Sequence, residues 1–364
     1  MAGNKSLNAA AAAKQDEFYT QLTDIEKELR HYRKHFTGKT VLCNCDDPFE
    51  SNFFKYFVLN FNKLKLRKLI ATCYAGSPIV YTQMNLFGEP EEVVQVKQQE
   101  KKPYKVEVTQ VYDTTGDGGV DMFDVAELFR TGKNSLELLE GDGDFRSPEC
   151  LALLDDADIV VTNPPFSLFR EYVAVLMEHD KKFIIIGSEN AVTYKEVFPL
   201  LKNNKMWLGH CNGDMAFRVP DHYEPRETRF WIDETGQKWR SMGNIAWFTN
   251  LDIKRRHEPM ILIRRYNPDM YPHYDNFDAI DVDSLENIPY DYPGIMGVPL
   301  TFMQKHDPSQ FEIIGFGKGE LAKEIGVTKN FRGRCDIAFT KPDGKPKCPY
   351  GRILVRNLHP EEAK

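Results

Sequence analysis

The stretch DIVVTNPPF, Asp158 to Phe166, constrains the fold more than any other part of the chain. Ala157 to Val161 is a short apolar, β-branched run, the mark of a buried parallel strand. It stops at Asn163-Pro164-Pro165-Phe166 and gives way to a helical pattern at Leu168, Tyr172, Val175 and Leu176. Strand, rigid polar corner and helix make the repeating unit of open α/β sheets, which bind ligands at the carboxyl ends of their strands. The two prolines fix φ and remove two donors, so the corner offers carbonyl oxygens with no competing N–H. Asn163 precedes a proline and is pushed to an extended conformation, which holds its side chain off the strand end. The Asn163 side-chain oxygen, the next carbonyl and the Phe166 ring together suit a planar amino group, which has two N–H donors and a π-face. The plain alternative is a Pro-Pro turn after a core strand.

Upstream, Met1 to Lys14 is alanine-rich without an amphipathic period, which predicts a loose terminus over 1–14. Asp16-Glu17-Phe18-Tyr19-Thr20 precedes a helix whose Ile25, Leu29, Tyr32 and Phe36 form one stripe, with Thr23 and Glu26 as its capping box. Lys39 to Cys45 reads as a strand closed by Asp46-Asp47-Pro48-Phe49. A helix carrying Phe53, Phe54, Phe57 and Phe61 follows, then a strand at Leu69 to Cys73. This order opens a nucleotide-binding α/β domain, although no G-x-G-x-x-G is present. Residues 80–135 interrupt the rhythm as an insertion. Inside it, Asp113 to Asp124 (DTTGDGGVDMFD) spaces its oxygen side chains like a calcium loop. The last position is Asp rather than Glu and a strand-like run precedes it, so an Asp-Gly turn capping the next helix is expected, and no metal. Leu136 to Glu140 resumes the sheet and runs into Gly141-Asp142-Gly143-Asp144-Phe145. A helix at 147–154 leads to the opening strand, and Phe183 to Gly187 is the next buried strand. Five strands thus end in polar or glycine-rich turns on one expected edge.

After about residue 205 the pattern shifts to shorter, alternating strands at Met215–Val219, Arg229–Ile232, Ile245–Thr249 and Met260–Arg264. The tail reads as a small α+β unit. The net charge of −7 over 364 residues argues against a nonspecific nucleic-acid coat, yet Gly315 to Leu358 holds ten Lys/Arg against four Asp/Glu. Arg332, Arg334 and Arg352 in that segment are candidates for phosphate contacts. Seven cysteines fit reduced thiols better than a disulfide framework, and Cys43-Asn44-Cys45 has no second C-x-x-C to complete a zinc site. With no apolar run of membrane length and no signal-peptide pattern, no membrane partner is expected, and the cytoplasm is the expected compartment.

A strand ending in DPF, a later one ending in GDF, and NPPF nineteen residues after Asp144 resemble the ordered motifs of S-adenosylmethionine-dependent amino-methyltransferases. Glu17-Phe18-Tyr19-Thr20 resembles the F-Y-T element that adenine-specific DNA enzymes place ahead of the nucleotide-binding strand. The wording KQDEFYTQLTDIEKELRHY, with GVPLTFMQKH and QFEIIGFGKGE in the tail, is similar to the EcoRI-type adenine-specific DNA methyltransferase family over nearly the whole chain after residue 14.

The resemblance implies an α/β fold, a Rossmann-like methyltransferase sheet with helices on both faces, plus a smaller C-terminal α+β target-recognition region. Its domains would be 15–260, catalytic, and 261–364, reading DNA. It implies S-adenosyl-L-methionine as cofactor and double-stranded DNA as partner. A cognate restriction endonuclease without a stable complex, and a monomer or homodimer, are the further partner expectations. Asn163, Pro164, Pro165 and Phe166 match the catalytic motif. Phe18, Tyr19 and Thr20 match the segment touching the methionine end of the cofactor. Asp46, Asp47, Pro48 and Phe49 match the first cofactor loop, and Asp144 and Phe145 the pair beside the cofactor's adenine. The first loop lacks the usual glycines, and the second strand ends in Thr72-Cys73-Tyr74 without the ribose-binding acid. A base flipped into the pocket would rest on Phe166, with Trp247 or Phe248 on its other face unless both are core. Protein-glutamine, RNA and cytosine-N4 methylation share this pocket chemistry, and a non-catalytic DNA- or calcium-binding protein is the alternative from another class.

Overall fold

A computed structural model describes residues 18–45, 48, 51–73, 103–221, 223–328 and 336–361. The chain forms two compact units, residues 1–189 with 211–251 and residues 190–210 with 252–364. The second unit therefore starts ahead of the expected 261 and takes in 190–210 as well.

The first unit follows the strand–helix alternation. In chain order come β1 (Tyr19–Thr20), α1 (Leu22–Leu29), β2 (Thr40–Asn44), α2 (Asn52–Leu59) and β3 (Lys68–Thr72). The insertion supplies β4 (Tyr104–Val108) and α3 (Met122–Arg130). Next are β5 (Ser135–Leu138), α4 (Pro148–Asp156), β6 (Ile159–Thr162), α5 (Phe169–Glu178) and β7 (Lys182–Ser188). Three strands close the sheet: β8 (Trp207–Arg218), whose first four residues count with the second unit, β9 (Phe230–Ile232) and β10 (Lys238–Thr249). The strand order is β1-β8-β10-β7-β6-β2-β3-β4-β5, with β9 added beside β10. Neighbours β3, β2, β6 and β7 are parallel. Antiparallel β4 separates β3 from β5, so β5 again runs with the parallel set. The carboxyl ends of β2, β3, β5, β6 and β7 share one edge.

The chain leaves β2 for β3 on one side and returns to β6 on the other, which makes the gap between β2 and β6 the topological switch point. Both ends of this pair are pinned. At the amino end Thr40 N donates to Asp158 Oδ2 at 2.8 Å, and Asp158 N donates to Thr40 O at 2.9 Å. At the carboxyl end the Thr162 hydroxyl donates to the Asn44 carbonyl. A one-residue slip would break both clamps and turn every apolar side chain of β6 over.

The aromatic pattern of the helices is core. Ile25, Leu29, Tyr32 and Phe36 are wholly buried, as are Phe54 and Phe57 on α2. Glycine at 187 is required because a Cβ there would run into the Phe169 ring of α5. Helix α1 begins two residues earlier than expected, after Gln21, and no side chain caps it, so Thr23 lies inside the helix and the Thr23–Glu26 box does not form.

In the second unit β11 (Ile280–Asp281), β12 (Ile295–Pro299), β13 (Phe311–Phe316) and β16 (Arg352–Asn357) form a four-stranded sheet in the order β11-β12-β16-β13. A two-stranded ribbon, β14 (Phe339–Thr340) and β15 (Pro346–Lys347), stands apart from it. Met260 to Arg264 is not a strand. Gln310 brackets Met260 by accepting from its N–H and donating to its carbonyl, at 2.7 and 2.8 Å, while Ile261 is 92% exposed. Alternation of apolar residues marks a half-buried strand only where a neighbour supplies the ladder. No helix among the described residues is long and apolar enough to cross a membrane.

Candidate active site at the carboxyl edge

Asn163 leaves β6 at the switch point and is 6% exposed. Its Nδ2 donates to the Phe18 carbonyl at 2.5 Å, a contact across 145 residues of sequence. A carbonyl only accepts, so this bond fixes which end of the amide faces Phe18. The other end, Oδ1, is buried without a hydrogen-bond partner among the described residues. Burying an acceptor unpaired costs about 1–3 kcal/mol. Beyond it, the Pro165 carbonyl receives Leu168 N at 2.9 Å as Phe166–Leu168 turns into a short 3-10 helix. The Pro164 carbonyl receives no backbone hydrogen bond among the described residues. Two acceptors on adjacent residues, one side chain and one main chain, are therefore without a partner at this corner among the described residues.

Phe18, Tyr19 and Thr20 reach this site because β1 pairs with the end of β8, Tyr19 opposite Arg218 and Thr20 opposite Phe217. Asn52, at the start of α2, donates its Nδ2 to the Thr20 carbonyl at 2.7 Å. The Thr20 hydroxyl is a second buried polar atom with no partner among the described residues. Aromatic rings cluster around Phe18. Phe18 lies 5.6 Å from Phe166, 5.7 Å from Phe217 and 6.1 Å edge-on from Tyr223. Trp247 and Phe248 do not take part. Both are wholly buried, Trp247 against Phe53 and Phe248 against Phe169, so they are core. Phe217 and Tyr223 are the rings that lie beside Phe18 instead.

Beside Asn163, β2 ends in Asn44, whose Oδ1 accepts from the Tyr172 hydroxyl at 2.5 Å. Burial pushes the Tyr172 phenol well above its usual range, so it remains a neutral donor. Cys45 follows with φ of 97°, a left-handed conformation that costs a non-glycine residue about 1–2 kcal/mol. The strand tip is thus held in a shape that glycine would adopt freely. Of the loop beyond it, Pro48 is buried, while Asp46, Asp47 and Phe49 lie outside the described residues.

Asp144 and Phe145 lie beyond β5. Arg146 donates Nε and Nη2 to the two Asp144 oxygens at 2.9 and 2.7 Å, which holds the carboxyl below its usual range. Phe145 packs at 5.0 Å against Tyr172, linking this turn to the Asn44 contact. In the Asp113–Asp124 loop, Asp121 and Asp124 form a capping box at the start of α3. Asp113 accepts from Gly116 N and Gly118 N, so turn and cap engage these carboxylates.

In the second unit Arg352 is a correction. Its side chain is 11% exposed, and its Nε donates at 2.9 Å to Asp281, which also takes the Tyr274 hydroxyl. An arginine held in a buried pair is structural and does not meet the phosphate role expected of it. Arg332 and Arg334 lie outside the described residues. Exposed Lys341, Lys345 and Lys347 cluster on the β14–β15 ribbon. Sequence reading passed over Asn44, Phe217 and Tyr223. Only the polar residue ending an apolar run at Asn44 was a local signal.

The family described as adenine-specific methyltransferase EcoRI matches residues 6–358. The chain is 45% identical over 360 residues to the type II methyltransferase M.EcoRI of Escherichia coli, covering 98% of this chain and 97% of the relative. It is 35% identical to M.MgeORF184P of Mycoplasma genitalium, over 96% of this chain and 98% of the relative. It is 38% identical to M.MpnI of Mycoplasma pneumoniae, over 84% of each. No solved structure matches. The chain belongs to the EcoRI-type family of adenine-specific methyltransferases.

Proposed function

We propose that this DNA methyltransferase moves a methyl group from S-adenosyl-L-methionine to the N6 amino group of an adenine flipped out of double-stranded DNA. One observation carries the reading: the buried Asn163 Oδ1, left without a partner among the described residues while the Phe18 carbonyl fixes the amide. An acceptor held ready in this way suits a donor that arrives with the substrate.

The residues fit the implied cofactor. Thr20 offers a buried unpartnered hydroxyl, and Cys45 bends the β2 tip at the switch point, where α/β sheets bind nucleotides. Phe18, Tyr19, Thr20, Asp46, Asp47, Pro48, Phe49, Asp144 and Phe145 would hold it, and it supplies one electrophilic sulfonium methyl. Asn163 Oδ1 and the Pro164 carbonyl would accept the two amino hydrogens. That draws the nitrogen toward pyramidal geometry and frees its lone pair from the ring. Positioning and preorganised dipoles do this work; the methylated nitrogen would then lose its surplus proton, strongly acidic on that ring, to water, so no base of unusual pKa is needed. Phe166, with Phe18, Phe217 and Tyr223 around it, encloses the π-face of a flipped base.

The first unit reads as a Rossmann-like catalytic domain and the second as the target-recognition region. Lys341, Lys345 and Lys347, with Arg332 and Arg334, would meet phosphates, which fix register without reading sequence. The test is to incubate the protein with tritiated S-adenosylmethionine and duplex DNA, RNA or protein, then digest and separate the products. Label is expected in N6-methyladenine from duplex DNA. Label in N4-methylcytosine, RNA or glutamine instead, or in none, overturns the reading.

A further inference from the structure

Asn44, the last residue of β2, is held from two sides by hydroxyl groups. The Thr162 hydroxyl donates to its carbonyl, and the Tyr172 hydroxyl donates to its side-chain Oδ1. Both donors come from the segment that carries the Asn163 corner. Thr162 precedes Asn163 at the end of β6, and Tyr172 lies on α5, the helix that follows. The residue after Asn44 is Cys45, the one held in a left-handed conformation, and its Sγ lies 3.8 Å from the same Asn44 oxygen. A non-glycine residue persists in that conformation only where its surroundings over-determine it. The doubly tied Asn44 supplies that constraint from the strand side.

Tyr172 also reaches the turn after β5. Its ring meets Phe145 edge-on at 5.0 Å and 67°. The Arg146 guanidinium covers the Phe145 ring at 5.1 Å and ties Asp144 to Glu171, the residue before Tyr172 on α5. Tyr172 is thus in contact with the β2 tip and the Asp144 turn while sitting on the helix that leaves the catalytic corner. It is wholly buried, and packing alone would be served as well by phenylalanine, which buries no hydroxyl. A buried hydroxyl is offset only by the bond that it makes, and this one goes to Asn44.

Resting on the function proposed above, we propose that Tyr172 is a positioning residue of the cofactor site. Its hydroxyl, acting through Asn44, holds the β2 tip in the shape that receives S-adenosylmethionine. A cofactor that meets a tip already shaped has less ordering to impose, and binds more tightly for it. Asn163 takes its orientation from a separate bond, the one to the Phe18 carbonyl. The Tyr172 hydroxyl therefore serves cofactor affinity and not the transfer step.

The test titrates S-adenosylmethionine by calorimetry into wild type, Tyr172→Phe, Asn44→Ala and the double variant, and measures steady-state methyl transfer to duplex DNA. Tyr172→Phe keeps the ring on Phe145 and should weaken cofactor binding about five- to tenfold, the value of one hydrogen bond. KM for the cofactor should rise with it, while kcat at saturating cofactor and the affinity for DNA stay as in the wild type. Because the hydroxyl acts through Asn44, adding Tyr172→Phe to Asn44→Ala should cost no further affinity. A Tyr172→Phe protein that binds the cofactor as wild type does overturns the proposal, whatever its Tm. So does a double variant whose loss is the product of the two single losses. Cofactor and DNA affinity falling together also overturns it, since that marks a scaffold role. Should Asn44→Ala fail to fold, the Tyr172→Phe comparison decides alone. If the wild type itself binds no S-adenosylmethionine, the proposed function fails instead.

Discussion

Two turns of the first unit are rich in polar side chains after a strand, and they treat those side chains in opposite ways. In the Asp113–Asp124 loop the oxygens are paired. Asp124 Oδ1 accepts from Thr114 N at 2.7 Å and Thr115 N at 3.2 Å, and Oδ2 accepts from Asp121 N at 2.9 Å. At the Asn163 corner one amide end is tied to Phe18 and the other is left open within a buried site. A loop whose carboxylates are engaged by its own backbone is building structure. A corner that keeps a buried acceptor open forgoes stability, which on the function proposed above is recovered when a ligand brings the donor.

The largest effect should come from the open side of this comparison. Asn163→Ala should lower kcat for methyl transfer to duplex DNA by about 10²–10³-fold, the scale of losing one preorganised group at a reacting centre. Its thermal stability should change little, because the loss of a buried unpaired acceptor offsets the loss of the Nδ2 bond to Phe18. A large fall in Tm with kcat retained would mean that the amide is structural. The closed side should respond in the reverse sense. Asp124→Ala strands the backbone donors of Thr114, Thr115 and Asp121, a cost of about 1–3 kcal/mol in denaturant unfolding, with methyl transfer retained at low temperature. These donors, Asp121 N–H first, hold the Asp124 carboxyl below its ordinary range. Its contribution is therefore complete above the unfolded value of about 3.9 and is lost as pH falls through the lower folded value. The stability difference between wild type and Asp124→Ala should accordingly shrink only below about pH 4.

What the sequence disclosed about these regions follows the range of the interactions involved. Strands β2, β6 and β7 are apolar on both faces, and that pattern is local, so they were legible to within a residue or two. The Asn163 corner was legible for the same reason, because prolines act on their immediate neighbours. The orientation of the Asn163 amide was not, since Phe18 lies 145 residues away. Tyr223 and Phe217 were hidden because nothing local marks a ring as lining a pocket. Arg352 was misread because its partner, Asp281, is 71 residues distant, and a cationic run shows charge without showing which charges are already paired. The transfer of residues 190–210 to the second unit leaves no mark in composition at all.

The smallest effect should separate the two sites most finely. Thr20 and Trp247 each bury a polar atom that lacks a partner among the described residues. Trp247 Nε1 belongs to a wholly buried side chain near the end of β10, opposite Ile186 and packed on Phe53, where no ligand could reach it. The Thr20 hydroxyl sits on β1 next to the segment that holds Asn163. If it serves the cofactor, Thr20→Val should weaken S-adenosylmethionine binding about five- to tenfold, the value of one hydrogen bond of about 1–1.4 kcal/mol. DNA affinity should stay the same. Valine has nearly the shape of threonine and brings no polar atom to bury, so stability should hold or rise slightly. Calorimetric titration of the cofactor into both proteins decides the matter. Equal affinities would place Thr20 with Trp247, as a polar group stranded by packing, and leave Asn163 as the buried polar group at this edge, among the described residues, that is open to a substrate.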